Sequence, residues 1–204
     1  MDLKFNKKLE DQPLVERVLH GDTNAFQVII QRTEGLVAQI IFKMVDNKED
    51  RKDIAQDVYL KVFQSLKGFR FQSKLSTWVG QIAYNSAVNY LRKKKLVLVE
   101  NSSDSEDAGN ISLESLYSAE NGSLANEAEN ILSKKELAGI LKLEIDRLSP
   151  LFKTLVTLYH NEDLSYSEIA EITQLPEGTV KSYLFRARKT LRNRLMPMYK
   201  MEQL

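Results

Sequence analysis

The stretch from residue 96 to 130, LVLVENSSDSEDAGNISLESLYSAENGSLANEAEN, is rich in Ser, Asn, Asp and Glu and scatters its few apolar residues. Such a segment buries too little apolar surface to offset the entropy of ordering it, so it reads as a flexible linker. It divides the 204-residue chain into an N-terminal domain over residues 1–95 and a C-terminal domain over 131–204.

On both sides of the linker apolar residues recur at intervals of three and four, strand-like alternation is missing, and there are only four prolines. The fold class is therefore all-α: two small helical domains on an acidic tether. The spacing predicts N-terminal helices near Gln12 to Leu19, Asn24 to Val45, Lys48 to Leu66 and Ser76 to Lys93. Asp22 or Thr23 is placed to cap the second, and Gly68 follows the third. Beyond the linker, helices are expected over Glu127 to Arg147, Pro150 to Tyr159, Ser165 to Thr173 and Pro176 to Arg194. Ser165 with Glu168 three residues on is a capping-box pattern, and Pro176 suits a first helical turn.

A net charge of +1 conceals segregation along the chain. Phe69 to Lys95 carries six cations and no acid, and Val99 to Asn130 eight acids and no cation. His160 to Glu177 then has five acids without Lys or Arg, and Gly178 to Lys200 seven cations without an acid. Two basic surfaces parted by acidic segments suggest a polyanion touched at two places; solvated helix faces are the plainer alternative.

Three faces give this charge pattern chemistry. Over residues 176–195 a helical wheel puts Val180, Tyr183, Leu184, Ala187, Leu191 and Leu195 on the burying side. Thr179, Ser182, Phe185, Arg186 and Lys189 lie opposite. With the short helix SYSEIAEIT and the turn QLPEG before it, this is the helix-turn-helix plan, whose second helix enters the major groove. A helical hairpin with a solvated face is the alternative.

The helix beginning near Ser76 turns Val79, Ile82, Ala83, Ala87 and Tyr90 inward. Gln81, Asn85, Asn89 and Arg92 form a stripe suited to base edges and phosphates, with Trp78, the only tryptophan, at its edge. Phe69 and Phe71 alternate with Arg70 and Gln72, aromatic planes beside charge, which suits unstacked bases as well as a core. On the third face, Ile54, Ala55, Val58, Tyr59, Val62 and Leu66 make a core stripe. Asp53, Gln56, Asp57 and Gln64 surround Leu60 on the outer side, a combination suited to protein docking.

In order and spacing, DIAQDVYLKVF at 53–63, FRFQSKLSTWVGQIAYNSAVNYLRKK at 69–94 and LSYSEIAEITQLPEGTVKSYLFRARKTLR at 164–192 resemble the bacterial sigma factors of the extracytoplasmic-function group. The resemblance covers nearly the whole chain outside the linker. It implies a sigma region-two-like domain over 1–95 that docks on core RNA polymerase through Asp53, Gln56, Asp57 and Leu60. The same domain would recognise and melt the minus-ten promoter element through Arg70, Phe71, Lys74, Ser76, Trp78, Gln81, Asn85, Asn89, Arg92 and Lys93. It further implies a region-four-like domain over 131–204 that reads the minus-thirty-five element through Thr179, Lys181, Ser182, Arg186, Arg188 and Lys189. Partners implied are core RNA polymerase, promoter DNA and an anti-sigma factor. The chain departs from the family pattern at Asn89, where Asp is common, at Gln174, where the turn often has Gly, and at Tyr183, where Arg is frequent.

Other classes find little support. The absence of cysteine excludes disulfides and thiolate metal sites and fits a reducing compartment. His20 and His160 are far apart in sequence, so no metal and no cofactor is expected. No signal-peptide core or run long enough to cross a bilayer is present, so no membrane insertion and a cytoplasmic location are expected, on the nucleoid when polymerase-bound. Asp53 and Asp57 lie among Lys61 and amides, not as a buried pair fit for acid–base catalysis, and no glycine-rich phosphate loop occurs. An operator-binding regulator with a sensor or dimerisation domain at its N-terminus is the competing reading. Trp78 has two expected roles, packing that positions the preceding loop or a wedge at the melted region.

Overall fold

The structure, a computed structural model, describes residues 3–100 and 134–201. Eight α-helices make up the described residues: α1 Leu3–Leu19, α2 Thr23–Met44, α3 Lys48–Ser65, α4 Leu75–Glu100, α5 Lys134–Asp146, α6 Pro150–His160, α7 Tyr166–Thr173 and α8 Glu177–Met201. A 3-10 turn, Leu66–Gly68, follows α3. Three of the expected boundaries differ by more than a turn: α1 begins at Leu3 rather than near Gln12, α4 continues past Lys93 to Glu100, into the stretch read as linker, and α8 runs to Met201 rather than Arg194. The expected start of the fifth helix at Glu127 lies outside the described residues.

Three helices of the N-terminal domain, α2, α3 and α4, start on a side-chain acceptor. Asp22 caps α2, its Oδ1 accepting from the N–H groups of Asn24 (2.9 Å) and Ala25 (3.1 Å), while Arg17 holds its Oδ2 at 2.7 Å. Asn47 caps α3 by accepting from the Glu49 N–H at 3.0 Å. For α4 the acceptor comes from far away: Asp11 Oδ2 on α1 takes the Leu75 N–H at 2.9 Å. These contacts satisfy amides that lack partners within the helix itself.

The core follows from the helical period. Helix α2 buries Ala25, Ile29, Thr33, Leu36, Val37, Ile40, Ile41 and Met44, and α3 buries Ile54, Val58 and Val62. Thr33 is tolerated inside because its hydroxyl donates to the Ile29 carbonyl at 2.8 Å. Helix α4 buries Val79, Ala83 and Ala87 and half-buries Ile82 and Tyr90 of the expected inward set, and it also buries Leu75, Tyr84 and Val88, because α2, α3 and α7 all pack on it.

In the C-terminal domain α6 is buried from Leu151 through Leu158, apart from the half-buried Phe152, rather than along one stripe. The reason is its position between α8 of its own domain and α2 of the other. On α5, Glu144 is buried and held by Arg147 at 2.5 Å and by Arg194 of α8 at 3.6 Å, which fastens the two helices together. The domains are in direct contact, α2 against α6 and α4 against α7. Gly80 makes the second contact close: a Cβ there would lie 3.1 Å from Ile172 Cδ1 and 3.2 Å from Leu36 Cδ2.

Candidate functional site

The outer face of α3 is open. Asp53, Gln56 and Asp57 are exposed, and Leu60 remains 55% exposed among them. Phe63 extends this face. It is 51% exposed and meets the half-buried Phe26 of α2 edge-on at 5.1 Å. Its place three residues after Leu60 made it legible on a wheel, but the sequence reading did not include it. Inside, Tyr59 stands within hydrogen-bonding distance of the Thr33 hydroxyl, 3.2 Å away, and burial raises its pKa. The result is a carboxylate and amide surface with an apolar ridge on a rigid helix.

The loop before α4 is built on aromatics. Phe69 is buried, with the Phe71 ring at 4.7 Å and the Trp78 ring at 5.0 Å. Trp78 is half-buried and its ring lies on this cluster, which supports the packing role over the wedge. Phe71 takes φ 56, a left-handed conformation uncommon for an aromatic residue. Arg70 is exposed between the two rings.

Along α4, Asn89, Arg92 and Lys93 are exposed, and Ser76, Gln81 and Asn85 are half-buried. Tyr90 faces α3, where its hydroxyl donates to Asp50 at 2.5 Å. Burial, then the Asp50 hydrogen bond and the charges of Asp50 and Asp46, push its pKa up to about 12. Lys74 differs from the other residues of this set. Its ammonium is 2.6 Å from Glu168 Oε1 in the opposite domain.

The helix-turn-helix expectation is met in detail. Ser165 and Glu168 form both halves of the capping box at the start of α7. Burial opposes ionisation of Glu168, but the Lys74 hydrogen bond and the Ser165 N–H and hydroxyl outweigh it, and its pKa falls to about 2. Gln174 ends α7 at φ 57, ψ 26, a left-handed conformation that favours glycine. Helix α8 then buries Val180, Leu184, Ala187 and Leu191. Lys181, Ser182, Arg186, Arg188 and Lys189 are exposed, Thr179 is half-buried, and Phe185 is 66% exposed among them.

The structure adds a support that the sequence reading did not single out. Tyr159 of α6 and Tyr166 of α7 stack at 5.0 Å with 12° between their planes. Arg188 lies 5.0 Å over Tyr159, and Lys181 lies 5.5 Å over Tyr166 while pairing with Glu177 at 2.8 Å. The interaction with Tyr166 raises the pKa of Tyr159 against the opposing effect of Arg188, whereas Tyr159 and Arg188 both lower that of Tyr166. Arg186 sits 5.8 Å over Tyr183, which packs on Phe152 at 5.6 Å. Three cations of α8 therefore rest on aromatic faces, which limits the directions in which they point.

Among the described residues no group of three His, Cys, Asp or Glu is placed to hold a metal ion, and no helix is long and apolar enough to cross a membrane.

Comparison with known proteins matches the model of Sigma-70 region 2 over residues 29–97 and that of Sigma-70, region 4, over 138–191. The ECF RNA polymerase sigma-E factor of Haemophilus influenzae is 35% identical over 196 residues, covering 94% of this chain and 98% of the relative. The ECF RNA polymerase sigma-E factor of Escherichia coli K12 is 34% identical over 194 residues, covering 95% and 98%. Among solved structures, CnrH in complex with the cytosolic domain of CnrY has a TM-score of 0.61 at 18% identity, over 92% of this chain and 97% of that one. RpoE in complex with the anti-sigma factor NepR from Bartonella quintana has a TM-score of 0.60 at 20% identity, over 84% and 96%. Both share its helical fold.

Proposed function

This chain belongs to the extracytoplasmic-function family of RNA polymerase sigma factors, and we propose that it works through three separate faces. The outer face of α3, with Asp53, Gln56, Asp57 and Leu60 and the added ridge of Phe63, docks on core RNA polymerase. The α4 stripe and the loop before it engage the minus-ten element. Arg70 and Phe71 meet the unpaired strand, Gln81, Asn85 and Asn89 meet base edges, and Ser76, Lys74, Arg92 and Lys93 meet phosphates. Trp78 holds the loop in place by packing on Phe69.

The α7–α8 unit reads the minus-thirty-five element. Thr179, Ser182, Arg186 and Lys189 face the major groove, where arginine pairs with guanine and Phe185 offers an apolar surface to a thymine methyl. Arg188 and Lys181, fixed on the tyrosine stack, take phosphates and set the register. The observation that carries this reading is the arrangement of α8, which buries Val180, Leu184, Ala187 and Leu191 on one side and leaves a hydroxylated and cationic row on the other.

No chemical step is assigned to the chain. It selects where polymerase starts, and it acts in the cytoplasm, on the nucleoid while polymerase-bound. An anti-sigma factor is its expected partner, by analogy with the complex of RpoE and the anti-sigma factor NepR. Each DNA contact by itself is weak and salt-sensitive, and polymerase unites them on one template.

The test is transcription from a genomic promoter library by core polymerase with and without the purified chain. A defined promoter class should gain initiation. A folded chain that leaves every promoter silent, or that binds an operator tightly as a symmetric dimer without polymerase, would refute the proposal.

A further inference from the structure

Helix α4 begins behind a residue that cannot cap it. The Trp78 N–H donates to the Lys74 carbonyl at 3.1 Å, which puts Lys74 at the N-cap position. A lysine side chain has donors but no acceptor, and its charge is disfavoured at the positive end of a helix. On the reading above this cation meets a DNA phosphate, so the usual caps, Ser, Thr, Asp or Asn, would remove that contact. The missing acceptor comes from α1. Asp11 Oδ2 takes the Leu75 N–H at 2.9 Å and brings both an oxygen and an anion to the start of α4.

Asp11 belongs to the packed face of α1. Asp11, Leu14, Val15 and Val18 follow the spacing of one helical face, and the three apolar residues are buried. The same helix packs on the 3-10 turn Leu66–Gly68. It therefore holds both stems of residues 69–74, the turn that leads into this loop and the amide that follows it. Trp78 lies in the first turn of α4, and its ring packs 5.0 Å from that of Phe69, which meets Phe71 at 4.7 Å. Where the first turn begins thus sets where the ring cluster stands, with Arg70 exposed between Phe69 and Phe71.

Resting on the functional reading above, we propose that Asp11 is a positioning residue for minus-ten recognition. Helix α1 carries none of the proposed DNA contacts and lies before residue 29, where the region 2 match begins. Through Asp11 it compensates for a cation at a capping position and fixes the loop that presents Arg70 and Phe71 to the unpaired strand. A local rule broken at a binding position is made good by a residue 64 positions before Leu75.

Trp78 is the only tryptophan, so its emission reads the first turn of α4 in the free chain, without DNA. Asp11→Ala should move that emission to longer wavelength. In complex with core polymerase, it should weaken binding to forked minus-ten DNA several-fold and leave affinity for minus-thirty-five duplex unchanged. Asp11→Asn keeps a capping oxygen and should behave as wild type. Adding Lys74→Ser to Asp11→Ala supplies a local cap, and should restore the emission but not the DNA binding, since the cation is gone. Asp22→Ala removes the cap of α2 instead. It should lower the melting temperature as Asp11→Ala does, with no change in emission or in forked-DNA affinity. Unchanged emission and DNA binding in a folded Asp11→Ala chain would overturn the inference. So would an equal loss of both DNA affinities, or the same loss in Asp22→Ala, either of which would make Asp11 a matter of stability alone. A wild-type complex that binds no forked DNA would count against the function proposed above, while the emission of the free chain still tests the cap by itself.

Discussion

Tyr159 and Tyr166, from consecutive helices, stack with 12° between their planes and carry Arg188 and Lys181 on their outer faces. The stack couples the fold of the C-terminal domain to the direction of two cations that flank the proposed DNA-reading row. Tyr159→Leu keeps an apolar side chain at this half-buried position but removes the ring under Arg188. A cation–π contact of about 0.5–1 kcal/mol corresponds to a two- to fivefold loss in affinity for minus-thirty-five duplex. Fluorescence anisotropy across a salt series checks this. The loss should be similar for matched and mismatched duplexes, because phosphate contacts carry no sequence information.

Gln174 occupies the left-handed region at the end of α7, φ 57. Gly adopts that conformation without the steric cost of a Cβ, so Gln174→Gly should stabilise the chain by about 0.5–1 kcal/mol. Gln174→Val, branched at Cβ, should destabilise it by a larger amount. Thermal unfolding followed by circular dichroism reads both, and a glycine variant no more stable than wild type would show that Gln174 makes a compensating contact.

Much of this architecture was legible from the sequence, for reasons tied to particular residues. The spacing of Ala25, Ile29, Leu36, Ile40 and Met44 fixes a buried face by helical geometry alone, and Ser165 with Glu168 marks a helix start by local chemistry. The Asp11 cap on α4 was not legible, because its partner lies 64 residues away. The burial of Tyr84 and Val88 and the pairing of Lys74 depend on how α4 meets other helices, α7 of the second domain among them, and a wheel drawn on one helix carries no information about that. The tyrosine stack escaped notice for the same reason: its rings come from two helices and its cations from a third.

Trp78 lies on Phe69, which in turn meets Phe71, and the chain has no other tryptophan. Trp78→Ala should cost about 2–3 kcal/mol, below the range for a fully buried tryptophan because this one is half-buried. Trp78→Phe should recover most of that loss. Intrinsic fluorescence of the wild type reports on this cluster alone. If Trp78 only packs, its emission should change little when forked promoter DNA binds. Strong quenching by the DNA would instead place its ring against a base.

Asp57 is exposed on the outer face of α3, remote from the core stripe of Ile54, Val58 and Val62. Asp57→Lys should change stability by less than about 0.5 kcal/mol. On the proposed docking face it replaces an anion with a cation, and binding to core polymerase should weaken at least tenfold, about 1.4 kcal/mol. Comparing polymerase affinity with the melting temperature separates the two effects.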